Sequence, residues 1–181
     1  MNYHEIRTDD MLNGAGLRVV LFLSGCEHNC KNCHNPQTHN SSNGKGFELS
    51  SKEEIFSELK HDYVSGLTLS GGDPLHKENL NDVLDLVNQI RLLFGNSKTI
   101  WLYTGYEWSD FFTRKNVCTF QPTDSYVIKR REIIGNCDVV VDGRFVQELA
   151  DINNPFAGST NQRLIDVKKT LETGEVVLYK I

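Results

Sequence analysis

No apolar run in this chain approaches a membrane span. The longest, Val19-Val20-Leu21-Phe22-Leu23, is a fraction of the roughly 20 residues a helix needs to cross a bilayer. A secretory leader is missing as well: where one would show a basic start and an apolar core, the N-terminus carries Glu5, Asp9 and Asp10. The expected compartment is therefore the cytoplasm. Positive charge is scarce too, with 19 Lys and Arg against 24 Asp and Glu and a formal net charge of -5. Phosphate binding calls for concentrated cations, so no nucleic-acid partner is expected, and the one tight basic cluster, Lys129-Arg130-Arg131, reads as a solvated face. Internal repeats and low-complexity segments are absent, and 39% hydrophobic with 24% charged residues is the composition of a globular protein. At 181 residues the length fits one domain.

Five cysteines are present, an odd number, and three of them are Cys26, Cys30 and Cys33. A reducing compartment disfavours structural disulfides, so metal binding or catalysis is the first reading of that group. The stretch from Ser24 to Pro36, SGCEHNCKNCHNP, fits several incompatible chemistries. Cys30 to His34 matches covalent c-type haem attachment, which belongs to exported proteins and is disfavoured by the missing leader. Cys30 and Cys33 alone match a redox dithiol. Three thiolates with His28, His34 or His39 would make a zinc site, and three thiolates without a fourth would hold an iron–sulfur cluster with one iron open. The loop by itself leaves zinc and cluster both standing.

Hydrophobic patterning places this loop in a fold. Arg18 to Ser24 reads as a strand delivering Cys26 at its C-terminal end. A helix is expected over about Lys52 to Tyr63, capped by Ser50 or Ser51, with Ser51 and Glu54 spaced as a capping box. Gly66 to Ser70 is the next strand. From about Glu78 to Phe94, Leu80, Val83, Leu84, Val87, Ile90 and Phe94 recur at helical spacing, and Gly95 stands where a C-terminal cap belongs. Thr99 to Thr104 and Cys137 to Gly143 are further strands, with a helix beginning near Glu107 between them; Phe112 to Ile134 reads as a long loop or an indistinct βα connection. EVVLYKI at the C-terminus has the alternation of an edge strand. Strands alternating with helices point to an α/β fold with a mostly parallel sheet, whose ligands bind at the C-terminal ends of the strands.

Those ends carry SGC, SGGDP, YTGY and VDGRF. GGDP, Gly71 to Pro74, is alone an ordinary strand-to-helix turn with a helix-starting proline. On the strand that follows the cysteine strand it brings exposed backbone next to the cysteine loop. With that pairing the chain resembles the radical S-adenosylmethionine (SAM) superfamily, and within it the activases that serve glycyl-radical enzymes of the anaerobic ribonucleoside-triphosphate reductase kind. The resemblance is carried by Asn13 to Pro36, Gly66 to His76, IWLYTGY from Ile100, VVVDGRFVQEL from Val139 and GSTNQR from Gly158, in that order along the chain.

The resemblance implies a partial (β/α) barrel in a single domain, 1–181, with a core of about 14–146 and a C-terminal extension of about 147–181. It implies Cys26, Cys30 and Cys33 as ligands of a 4Fe-4S cluster whose fourth iron is open for SAM. Asn32 and His34 would lie along the bound SAM, Gly71 and Gly72 would present backbone to its methionine end, and Asp73 would hold the turn or reach its amino group. Tyr103, Thr104 and Gly105 would lie toward its ribose or adenine. One-electron cleavage of SAM would then yield a 5'-deoxyadenosyl radical that takes hydrogen from a glycine of the partner, the large subunit of the reductase, with electrons from a donor such as flavodoxin. Departures from the family pattern are Ala15, where proline is usual, and His34, where an aromatic residue commonly follows the third cysteine. Cys118 and Cys137 match no cluster position and read as buried thiols, and His4, His61 and His76 as surface or packing residues. An activase of pyruvate formate-lyase type, a small deazapurine synthase and a non-enzymatic zinc module are the competing readings.

Overall fold

The computed structural model describes residues 1–112 and 124–181. At its centre β2 (Arg18–Leu23), β4 (Gly66–Gly71), β5 (Thr99–Tyr103) and β6 (Val139–Asp142) run parallel. Three antiparallel strands extend this core: β1 (Asn2–Asp10) beside β2, β3 (Lys45–Gly46) beside β1, and β7 (Arg163–Asp166) beside β6. The seven-stranded sheet has the order β3-β1-β2-β4-β5-β6-β7. α1 (Leu49–Leu59) and α2 (Leu80–Phe94) connect successive parallel strands, while α3 (Trp108–Phe111) and α4 (Ser125–Gly135) lie between β5 and β6; α5 (Val167–Thr173) follows β7. Among the described residues, no helix is long and apolar enough to cross a membrane.

The period of two along each strand separates two faces. Val19, Leu21, Leu67, Leu69, Ile100, Leu102 and Val140 join Ile55 and Leu59 of α1, the α2 stripe Leu80, Val83, Val87 and Ile90, and Ile133 of α4 in one core. The opposite face carries Trp101, Val139 and Val141, covered by Tyr103, Phe156 and Tyr179. Arg18 is fully buried on this inner face, with no ion pair to a carboxylate among the described residues. Its guanidinium donates to Thr68 Oγ1 (2.7 Å), Leu67 O (2.8 Å), Thr99 O (3.0 Å), Thr99 Oγ1 (2.9 Å) and Ala15 O (3.1 Å), and it lies over the Trp101 ring. Burial lowers its pKa to about 10, so the charge is retained at neutral pH. The segment before β2 is pinned to the same group. Gly14 has φ +133°, and a Cβ there would stand 2.9 Å from both Arg18 and Trp101.

The four parallel strands and the α2 helix with its Gly95 cap lie where the pattern put them. Other expectations are corrected. α1 starts at Leu49 and ends at Leu59, with Glu48 at its N-cap position and no capping box; the buried Ser51 hydroxyl donates instead to Tyr3 Oη at 3.1 Å. Pro74 starts no helix, because turns fill the span to α2, and the Asp73 carboxylate accepts the Leu75 N–H at 2.8 Å. The C-terminal EVVLYKI forms no strand; it meets β7 through an isolated bridge, Leu178 opposite Ile165, with Tyr179 N–H donating to Leu164 O. Within the expected loop Phe112 to Ile134, residues 125–135 are the α4 helix, capped by Asp124 accepting from Tyr126 N–H; the rest, 113–123 with Cys118, lies outside the described residues.

Candidate functional site

Backbone hydrogen bonds tie the strand ends together. Beyond β2, Gly25 N–H donates to Thr38 O (2.7 Å) and Cys26 N–H to His39 O (3.0 Å), folding the cysteine loop back on itself. After β4, Gly72 N–H reaches Leu23 O and Asp73 N–H reaches Gly25 O, each at 2.7 Å, so the Gly-Gly-Asp turn lies directly against the start of the cysteine loop. After β5, Thr104 N–H donates to Val141 O (3.0 Å), and after β6, Gly143 N–H donates to Tyr106 O (2.9 Å). A Cβ on Gly72 would fall 2.5 Å from Gly25 O, which is why this approach needs glycine.

A cavity of about 610 Å³ opens at these ends. Cys26, Cys30, Cys33, Gly71, Gly72 and Thr104 form one part of its wall, with His34, Tyr103 and Gly105 also lining it. All four described cysteines are free thiols, and the three of the loop are half-buried. Between them Asn29 (φ +49°) and Asn32 (φ +55°) take the left-handed conformation that asparagine tolerates, which turns the chain tightly between the cysteines. Burial pushes the Cys26 thiol up to about 11; a backbone hydrogen bond from His28 opposes this, and Asp73, Cys30 and Cys33 add to it. Cys137 is buried far from this loop in sequence and in core, and burial pushes its thiol up too.

Two sequence candidates stand apart from the wall. Asn32 is exposed and does not line the cavity. Asp73 is 1% exposed and lies behind the wall, where its carboxylate accepts from Thr104 Oγ1, Gly105 N–H and His28 Nε2 as well as Leu75 N–H. His34 is exposed at the cavity, its ring 5.0 Å from that of Phe145. Tyr103 donates its hydroxyl to Phe156 O at 2.9 Å, and burial pushes its pKa up. Of the remaining histidines, His76 is buried beside Glu27 and His61 stacks on Tyr63 at the surface.

The lining also includes Met11 to Asn13, Phe145 and the segment around Ile152 to Gly158. Gln162 links two parts of it, accepting from Gly158 N–H (2.9 Å) and donating to Gly143 O (3.0 Å). Phe145 belongs to VDGRF, one of the strand ends expected to meet at the site, whereas Met11, Leu12 and the residues around Ile152 carry no sequence signal.

An iron–sulfur cluster fits these residues: three free thiols face one cavity beside glycine backbone. Among the described residues, no three His, Cys, Asp or Glu side chains are gathered tightly enough to hold one ion. Ligands of a single zinc all lie about 2.0–2.3 Å from it, whereas the cysteines of a cluster each take a different iron and stand wider apart.

The family model of the 4Fe-4S single cluster domain matches residues 12–165, which makes this an iron–sulfur protein of the single-cluster class. The anaerobic ribonucleoside-triphosphate reductase-activating protein of Enterobacteria phage T4 is 38% identical over 164 residues, covering 91% of this chain and 93% of its own. The proteins of that name from Vibrio cholerae serotype O1 and Escherichia coli K12 are 38% and 36% identical, each over 90% of this chain and 96% of its own. The chain belongs to this family of anaerobic ribonucleoside-triphosphate reductase-activating proteins.

Proposed function

We propose that this protein is a radical SAM activase that generates a glycyl radical on the large subunit of an anaerobic ribonucleoside-triphosphate reductase. The supporting observation is that Cys26, Cys30, Cys33 and the Gly71-Gly72 turn line one cavity at the ends of adjacent parallel strands. The single domain 1–181 is, in this reading, a partial (β/α) barrel working in the cytoplasm, with a flavodoxin-like protein as electron donor.

Cys26, Cys30 and Cys33 would each hold one iron of the cluster, and the missing fourth thiolate leaves room for SAM. When bound, the cluster and SAM supply one-electron carbon–sulfur cleavage and a 5'-deoxyadenosyl radical able to take hydrogen from glycine. The chain's own work is binding, orientation and exclusion. Gly72, with no Cβ, lets the turn pack against Gly25 O and Thr38 O, and its backbone would there meet the methionine end of SAM. Thr104 and Gly105 continue that wall from β5, and His34 with Phe145 adds a pair of rings to the lining. Below, the layer of Arg18, Trp101, Phe156 and Tyr179 closes the inner face against water.

The test is anaerobic reconstitution with iron and sulfide, followed by SAM, a reductant and the cognate reductase. Formation of 5'-deoxyadenosine together with a glycyl-radical EPR signal is the expected result. An intact cluster that yields neither product defeats the proposal, while SAM cleavage without a protein radical defeats only the choice of partner. A Cys33→Ala variant should lose both products.

A further inference from the structure

We propose that His28 and Asp73 form a clamp holding the cysteine loop onto the sheet, and that the Asp73 carboxylate is a positioning group which does not touch the bound cofactor. The inference rests on the reading of Cys26, Cys30 and Cys33 as cluster ligands.

The hydrogen-bond capacity of Asp73 is filled. Oδ1 accepts from Leu75 N–H (2.8 Å) and Oδ2 from Gly105 N–H (3.0 Å) and His28 Nε2 (2.7 Å), while the Thr104 hydroxyl lies 3.0 and 2.9 Å from the two oxygens. Four donors meet the roughly four acceptor sites that a carboxylate offers. The partners come from three separate segments: the turn after β4, the turn after β5 and the cysteine loop. Because a carboxylate only accepts, His28 must present its Nε2 proton to it. An ammonium group arriving from the cavity would find Asp73 1% exposed and would have to strip one of these donors from it.

His28 is equally confined. Its side chain is 6% exposed although it belongs to a loop, and its ring meets Tyr106 edge-on at a centroid distance of 4.6 Å. Arg130 lies over Tyr106 at 4.8 Å and backs that contact. On another side a Cβ on Gly105 would stand 2.4 Å from His28 Cδ2, so only glycine leaves room for the ring. His28 is midway between Cys26 and Cys30 in the sequence, and fixing its ring fixes the segment between the first two thiols. The exposed pair Lys31–Glu148, at 3.1 Å, cannot do so with comparable rigidity. Groups that orient metal ligands in this way matter nearly as much as the ligands themselves.

The experiment compares anaerobically reconstituted full-length His28→Leu, His28→Gln, Asp73→Asn and the double variant His28→Leu/Asp73→Asn with the parent chain. Iron release to a chelator, the EPR spectrum of the reduced cluster with and without SAM, and thermal unfolding of the cluster-free proteins are read for each. His28→Leu and Asp73→Asn should each lose iron about 10-fold faster or more, the effect usual for groups that orient metal ligands. The double variant should be no worse than Asp73→Asn alone, because the carboxylate that His28 grips is already gone from it. His28→Gln, whose amide N–H can still reach the carboxylate, should recover much of the retention, and whatever cluster Asp73→Asn holds should still change its spectrum on adding SAM. Multiplying effects in the double variant, or an Asp73→Asn protein that keeps its cluster and ignores SAM while His28→Leu responds normally, overturns the clamp. Failure of the parent chain to take up any cluster overturns the reading of the cysteines, and the clamp with it.

Discussion

Single residues on the inner face carry large energetic consequences, and Arg18 is the sharpest case. Its five hydrogen bonds join β2, β4, β5 and the segment before β2 around a fully buried guanidinium. Arg18→Met keeps the length and apolar volume but removes all five of these hydrogen bonds, including those to the carbonyls of Leu67 and Thr99. At about 0.5–1.5 kcal/mol net for each lost bond, the variant should lose roughly 3 kcal/mol or more of unfolding free energy, measured by urea titration. A loss below about 0.5 kcal/mol would show that the guanidinium is dispensable. Gly105→Ala addresses a different residue-scale constraint. Gly105 is not among the residues with positive φ, so the substitution adds no backbone strain and acts only by pushing a methyl group into the His28 ring. The expected outcome is a protein with normal far-UV circular dichroism and poor iron retention.

At the scale of elements, two segments depend on contacts that no local pattern announces. Asp10 ends β1 and accepts from Leu12 N–H, Asn13 N–H, the Asn13 side chain and Arg7, setting the turn that forms one lip of the cavity. Burial pushes its carboxyl up, but those hydrogen bonds outweigh it and the net pKa lies below the ordinary 3.8. A lowered folded-state value contributes stability that is present above the unfolded pKa and disappears as pH falls through the folded one. The parent chain should therefore lose more stability than Asp10→Asn when titrated from pH ~5 to below pH ~3, and parallel acid curves would contradict this. The C-terminal segment is the second case: Tyr179 N–H binds Leu164 O, and its ring meets Trp101 at 5.3 Å. Deleting residues 176–181 should red-shift the emission of Trp101, now 1% exposed, with Trp108 held at its own site by α3. The central strands were legible because both of their faces are buried and β-branched runs have few other uses. β1 and β7 were missed because one is polar along its edge and the other is short and charged. α4 was missed because it buries little beyond Ile133 and Ile134 and shows no apolar stripe.

Across the whole molecule, the site is assembled from residues as distant in sequence as Met11, Cys26, Gly72, Thr104 and Gln162: the parallel register of β2, β4 and β5 brings Cys26, Gly72 and Thr104 together, and the antiparallel strands β1 and β7 add Met11 and Gln162. The cysteines and the Gly-Gly-Asp turn could be read from the sequence because spacing and strand position carry their chemistry. The stretch around Ile152 could not, since its residues are ordinary ones that acquire a role only through tertiary contact, while Phe145 and Gln162 lie in the VDGRF and GSTNQR segments. The same architecture bears on how metal and folding are coupled. Small zinc-dependent domains have no adequate core and unfold without metal. Here the core runs from α1 to α5 on the helical face, with a second group of buried residues on the inner face, and neither contains Cys26, Cys30 or Cys33. The cysteine loop is itself fastened through Thr38 O, His39 O and Asp73. The cluster-free protein should accordingly unfold in one cooperative transition with its secondary structure intact beforehand. Cluster binding should raise the midpoint by mass action on a fold that already exists. Circular dichroism melts of chelator-treated and reconstituted protein decide the matter: a chelated protein that melts gradually, without a cooperative transition, would mean that the metal builds the sheet rather than occupying it.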